Sequence, residues 1–185
     1  VRKNPNIENP KIEIIETKFD NFEQLCVELK GDDCFFCIGT TKKNSSNFSE
    51  YQRVELDLPK KIAYLAKQNN IKSFIFISSG FANSKSSGDY LKFKGLVEEE
   101  LINLKFDNLG ILRPSFLLGN RFEKRIAEKI GIIIFQFLSP LMIGPLKRMK
   151  PIHVKLVANA MIKIAQSNLS EVIFESDEIV KLNQN

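Results

Sequence analysis

Tyr90 and Lys94 stand four residues apart, just after an apolar run that ends in Ser78 and Ser79, in "FIFISSGFANSKSSGDYLKFKG" (residues 74–95). Positions i and i+4 of a helix share one face. A phenol titrates at about 10, too high for acid–base work at neutral pH, and an adjacent ammonium favours the phenolate. A serine hydroxyl can hold a substrate carbonyl near that phenol. Ser79, Tyr90 and Lys94 therefore suit proton transfer to an alkoxide as a hydride arrives, or the reverse. The same spacing fits an ordinary helix, with Tyr90 a half-buried packing residue and Lys94 a solvated partner of Glu98 at i+4. The strand ending in Ser-Ser-Gly is what raises the first reading above the second.

The elements that must deliver these residues are legible as patterns. "CFFCIG" (34–39), "KSFIFIS" (72–78) and "NLGILRP" (108–114) are apolar runs, which predict buried strands. "KIEIIET" (11–17) alternates apolar and polar residues and predicts a strand; "EVIFE" (171–175) predicts a short last one. Helical patterns lie between them. Residues 20–31 are capped by Asp20 or Asn21 and stopped by Gly31; residues 49–70 carry an apolar stripe through Tyr51, Val54 and Leu58 and a kink at Pro59. Residues 86–104 have Ser87 as cap, 119–146 are apolar and break at Ser139–Pro140, and 154–166 and 176–182 follow, the last capped by Ser176. Strand and helix alternate, so the expected fold class is α/β, a doubly wound parallel sheet. Ligands of such sheets sit beyond the carboxyl ends of the strands, here the turns at Gly39-Thr40-Thr41, Ser78-Ser79-Gly80 and Arg113-Pro114-Ser115.

Composition bounds the partners. The chain has 185 residues, 43% of them hydrophobic and 26% charged, which suits one globular domain. The net charge is +5, yet the lysines are interleaved with glutamate, as in "LKFKGLVEEELINLK", so a solvated surface and no nucleic-acid partner are expected. Three cysteines, Cys26, Cys34 and Cys37, and no signal peptide suggest a reducing, cytoplasmic setting. Cys34 and Cys37 point to opposite faces of a strand, so they share no metal and read as small buried residues. The apolar segment 130–146 is shorter than the roughly 20 residues of a membrane span and is interrupted by Gln136, Ser139 and Pro140. His153, the only histidine, is expected to pack at a helix start and to hold no metal.

Taken in order, these segments resemble the short-chain dehydrogenases/reductases. Residues 74–95 resemble the strand, Ser-Ser and Tyr-x-x-x-Lys core; "DDCFFCIGTT" the fourth strand and turn of the atypical branch; "NLGILRPSFLLGNR" the sixth strand and its Arg-Pro turn; "MKPIHVKLVANAMIKIA" the helix closing the substrate side. The set is most similar to bacterial NAD(P)-binding relatives of the Tat-interacting oxidoreductase. The resemblance implies a single Rossmann-like domain over 1–185, with a small substrate-side region at about 115–170. It implies Tyr90 as acid/base, Lys94 as its tuning cation and ribose ligand, and Ser79, ahead of Ser78, as substrate-orienting. It places Gly39, Thr40, Thr41 and Asp20 near the adenosine side and Pro114 and Ser115 by the nicotinamide. It sets Arg2 and Lys3 where a 2′-phosphate binds, which favours NADP with NAD as the alternative. The substrate is left as a small carbonyl or alcohol.

The departures are as specific. The family's first strand and glycine-rich loop are not seen, and the chain opens at Val1, so an N-terminally truncated reading is expected. The asparagine many members carry in the long helix is not evident; Glu55 and Asp57 lie there. Two other readings use the same residues. One is a non-catalytic NADP(H)-binding regulatory module with a protein partner or as a homodimer. The other is a nucleotide-sugar epimerase or dehydratase, for which the region after Pro114 is short.

Overall fold

The computed structural model describes residues 4–19, 25, 27–118, 148–167, 169 and 171–184. Arg2, Lys3, Asp20, Cys26 and the apolar segment 119–146 lie outside them, as does most of the expected substrate-side region. The described strands are β1 (Asp33–Phe36), β2 (Ser73–Ile77), β3 (Asn108–Arg113), β4 (Leu117–Leu118), β5 (Ile152–His153) and β6 (Ile173–Glu175). The helices are α1 (Phe48–Gln52), α2 (Leu58–Gln68), α3 (Asp89–Leu104), α4 (Val154–Ala165) and α5 (Ser176–Leu182).

β1, β2, β3 and β6 form one parallel sheet in that order. The expected α/β class with a parallel sheet is therefore the fold observed. Successive residues of a strand face opposite sides, and here each side has its own core. Phe74 and Phe76 of β2 join Phe36, Ile111, Ile62, Val97 and Leu101, between the sheet and α2 and α3. Ile75 joins Leu112, Phe174, Val157, Ile164 and Ile179, under α4 and α5. Full burial of each such side chain stabilises by about 1.5–3 kcal/mol relative to exposure. These two cores make the strands continuously apolar, and they hold all four carboxyl ends at one edge.

Several local expectations change. Residues 12–18 form no strand, and Ile12 is 45% exposed. Alternation supplies a face but not a neighbour, and no described strand pairs with this segment. A π-turn (Arg53–Asp57) joins α1 to α2, and Pro59 sits in the first turn of α2 rather than in the interior of one long α-helix. Proline has no N–H to donate, and a first helical turn does not need one. α3 is capped at Gly88 without a side-chain bond, not by Ser87. α5 begins with a capping box between Glu175 and Glu178, and Ser176 is buried inside the first turn.

Two glycines let the layers close. A Cβ on Gly110 would lie 2.6 Å from Ile164 Cγ2, so α4 reaches the sheet only over a bare backbone. A Cβ on Gly95 would lie 2.2 Å from the Ser84 backbone nitrogen and 2.4 Å from the Asn83 carbonyl carbon. Backbone cannot swing aside as a side chain can, so Gly95 seats α3, with Lys94 next to it, against the loop that follows β2. Gly95→Ala is expected to cost about 3 kcal/mol, read as a lower urea midpoint; an unchanged midpoint would refute this role.

Candidate active site

Three walls meet at the carboxyl edge of the sheet: the turn after β1, the first turns of α3, and the stretch that runs from α1 into the π-turn. They enclose a cleft of about 860 Å³, lined among others by Gly39, Thr40, Tyr51, Glu55, Tyr90 and Lys94. The expected pair on α3 and the expected glycine–threonine turn are therefore brought together. Thr41, also on the lining, caps a short 3₁₀ turn (Lys42–Asn44) by accepting from the Asn44 N–H at 3.3 Å.

Lys94 is buried, at 4% exposure. Its Nζ lies 3.1 Å from Glu55 Oε2, donates to the Ile77 carbonyl at 3.4 Å, and stands 4.9 Å above the Phe76 ring and 5.8 Å from the Tyr90 ring. Its partner is not Glu98. Glu98 is claimed by Arg113, whose Nε and Nη2 donate to it at 3.0 and 2.5 Å while Nη1 reaches Glu175 at 3.2 Å. A bidentate guanidinium–carboxylate pair outcompetes a single ammonium contact, and Glu98 and Glu175 hold the Arg113 guanidinium above its already high ordinary value.

Glu55 is the residue that sequence reasoning passed over. It is 1% exposed; Oε1 accepts the Thr40 N–H, and Oε2 is within ion-pair distance of Lys94 but has no aligned hydrogen bond. A Cβ on Gly39 would press against Oε1 at 3.1 Å, so the glycine makes room for this carboxylate. Tyr51 was also missed as a site residue. It is buried at 3%, its ring lies 5.7 Å from Phe93, and the Lys42 ammonium, paired to Asp89 at 2.5 Å, sits 5.8 Å from it. Burial, with Glu55, Tyr90 and Asp89 as further causes, pushes the Tyr51 phenol up to about 12. The available signal was the four-residue spacing of Tyr51 and Glu55, which repeats that of Tyr90 and Lys94.

The remaining residues are placed as follows. The Ser78 hydroxyl donates to Glu98 and Ser78 lines the cleft, whereas Ser79 donates to the Gly80 carbonyl at 3.3 Å and is not on the lining. The Pro114 carbonyl accepts the Gly80 N–H at 3.0 Å, which ties two strand-end turns together. Ser115 donates to the Lys150 carbonyl and lies 3.1 Å from the Ser176 hydroxyl. Cys34 is buried, and burial pushes its thiol up to about 12; Cys37 is exposed at the cleft rather than buried as expected. His153 caps α4 by accepting the Lys155 N–H. Among the described residues there is no group of metal-ligating side chains, and no helix is long and apolar enough to cross a membrane.

No protein-family profile matches the chain. It is 35% identical over 140 residues to "Protein FMP52, mitochondrial" of Meyerozyma guilliermondii, covering 71% of this chain and 60% of that protein. It is 38% identical over 111 residues to "Protein HTATIP2" of Rattus norvegicus, covering 60% of this chain and 46% of that one. The chain thus spans about half to three fifths of the curated relatives it matches. Among solved structures it shares its fold with the Bordetella bronchiseptica enzyme WbmH in complex with NAD⁺, at a TM-score of 0.68 and 15% identity, covering 91% of this chain and 61% of that one. It also shares it with dTDP-4-dehydrorhamnose reductase of Bacillus anthracis in complex with NADP, at 0.57 and 14%, covering 83% and 58%. The α/β fold is that of NAD- and NADP-binding Rossmann-like enzymes.

Tyr51 makes the site sensitive to alkali. An unfolded tyrosine titrates at about 10, and Tyr51 in the fold at about 12. Between these values the unfolded chain releases its proton first. Stability held below about pH 10 is therefore lost as pH rises to about 12, by roughly 2 kcal/mol. Urea unfolding from pH 9 to 12 should show this loss, and Tyr51→Phe should lack it; an equal loss in the variant would assign it elsewhere.

Proposed function

We propose that this chain carries the proton-transfer and part of the dinucleotide-binding machinery of an NAD(P)-dependent oxidoreductase of the atypical short-chain type, acting on a small carbonyl or alcohol. The observation that carries the reading is the convergence of Tyr90, Lys94 and the Gly39–Thr40–Thr41 turn on one cleft at the carboxyl edge of a parallel sheet. The likeness to FMP52 and HTATIP2, and a fold shared with enzymes solved with NAD or NADP, support it.

The residues fit a nicotinamide dinucleotide. Gly39 brings bare backbone to the cleft, Lys94 offers an ammonium, and the buried Glu55 Oε2 lacks a hydrogen-bond donor that a hydroxyl would supply. When bound, the dinucleotide supplies or accepts the hydride. Gly39, Thr40 and Thr41 would line its adenosine side, and Lys94 would hold a ribose. Tyr90, about two-fifths exposed on the cleft, gives its phenolic proton to the substrate oxygen in reduction and takes it back in oxidation. On this reading Ser79 exchanges its weak bond to Gly80 for one to the substrate, and Pro114 and Ser115 flank the nicotinamide. NADP in place of NAD rests on Arg2 and Lys3. We also keep a reducing, cytoplasmic setting in the proposal, although the FMP52 relatives are mitochondrial by name.

A non-catalytic dinucleotide-binding module is favoured by one observation: the Lys94 charge is already matched by Glu55. Turnover separates the two. With NADPH and a panel of aldehydes and ketones, Tyr90→Phe should lower kcat by about 100-fold or more while NADPH affinity, read by its fluorescence, changes little. NADPH binding without turnover in the parent would favour the module, and turnover untouched by Tyr90→Phe would remove Tyr90 from the chemistry.

A further inference from the structure

Two helices face each other across the cleft, and each presents a tyrosine and a charged residue at i, i+4: Tyr51 with Glu55 from α1 and the π-turn, Tyr90 with Lys94 from α3. The charged members meet as a buried ion pair at 3.1 Å. We infer that Glu55 is a positioning residue: its carboxylate holds the Lys94 ammonium in the cleft wall and sets how much of that cation's field reaches the Tyr90 phenol. The inference rests on the proposed role of Tyr90 as acid/base and adds the residue that governs it.

Three observations carry it. Glu55 is fixed from behind, because its other oxygen takes the Thr40 N–H and its flank lies against Gly39, so it cannot withdraw from Lys94 without loosening the turn after β1. Lys94 has Glu55 as its one ionic partner among the described contacts, since Glu98 is bound to Arg113. Glu55 also sits in the middle of the π-turn, and a widened turn places a side chain where a regular helix would not. An ammonium alone beside a phenol would favour the phenolate. A carboxylate 3.1 Å from that ammonium offsets part of its field, because the opposite charge acts on the same third group with the opposite sign. Tyr90 is thereby kept as a phenol to higher pH, which is the form that protonates a reduced carbonyl. The other charged or titratable groups around it are Asp89 on its own helix, Tyr51 on the facing one, and Lys42 and Cys37 from the turn after β1.

The test uses the protein without dinucleotide, so it does not depend on turnover. The tyrosine absorbance change is followed as pH is raised, and subtracting the same titration of Tyr90→Phe isolates Tyr90 from Tyr51 and Tyr64. Glu55→Gln keeps an oxygen for the Thr40 N–H but removes the charge, and should move the Tyr90 transition down by about one pH unit or more, a tenfold rise in phenolate at a given pH. Glu55→Asp, which keeps the charge but pulls it back by one methylene, should move it part of the way. In a Lys94→Gln background the effect of Glu55→Gln should shrink, because it acts largely through that cation. A Tyr90 transition that stays within 0.3 unit of the parent in Glu55→Gln, or in Glu55→Asp should the glutamine variant not fold, overturns the inference. A shifted transition in a protein that turns over no carbonyl sinks the oxidoreductase reading and leaves the ion pair's role standing.

Discussion

Burying charge at the carboxyl edge of the sheet is what the rest of the arrangement answers to. Two systems meet there: Glu55 with Lys94, and Glu98 and Glu175 with Arg113. Each ion taken out of water carries a penalty of several kcal/mol that only close, oriented partners return, and stripping one partner from such a pair costs about 3–5 kcal/mol. Every acid in these systems is therefore assigned to a base from a different element. Glu98 on α3 is tied to β3, β3 to β6 through Glu175, and the helix 48–68 to α3 through Lys94. The apolar cores decide that a sheet forms; these pairings decide the relative seating of the helices that frame the cleft.

That division explains what could be read in the chain and what could not. Apolar runs such as residues 74–76 and 109–112 carry their fold in their own composition, so β1, β2 and β3 and their membership of a parallel sheet were legible. The Tyr90–Lys94 pair was legible as well, since it needs only helical spacing. The partner of Lys94 was not. Local spacing nominates Glu98, four residues on, but the bidentate claim of Arg113, fifteen residues further along and on β3, removes it. Glu55, 39 residues upstream of Lys94, takes its place, and no periodicity encodes that choice. The misplaced caps have the same origin. Ser176 resembles a cap in isolation, but in the fold its hydroxyl joins Ser115 and the Lys150 carbonyl, and Glu175 has a better geometry for the task.

The serine half of the expected signature depends most on hydrogen-bond assignments. Two adjacent serines follow β2, and the motif alone does not say which of them is committed to another partner. Here Ser78 is on the lining and is already donating to Glu98, while Ser79 is turned to its neighbour's carbonyl. The residue types in a motif thus state which chemistry is available, while the hydrogen-bond assignments state which copy is at liberty to perform it.

The two described cysteines give this cleft an optical handle. Cys34 and Cys37 are three residues apart and diverge: one is sealed in the core with its thiol pushed up to about 12, the other opens onto the cleft wall beside Gly39. With Cys26 replaced by serine, a thiol-directed fluorophore at alkaline pH should therefore favour the exposed Cys37, whose thiol burial also raises, over the buried Cys34. A dye attached at Cys37 would sit next to the turn expected to meet the adenosine half of a dinucleotide. Its emission would then report occupancy directly, in real time and without any substrate being known.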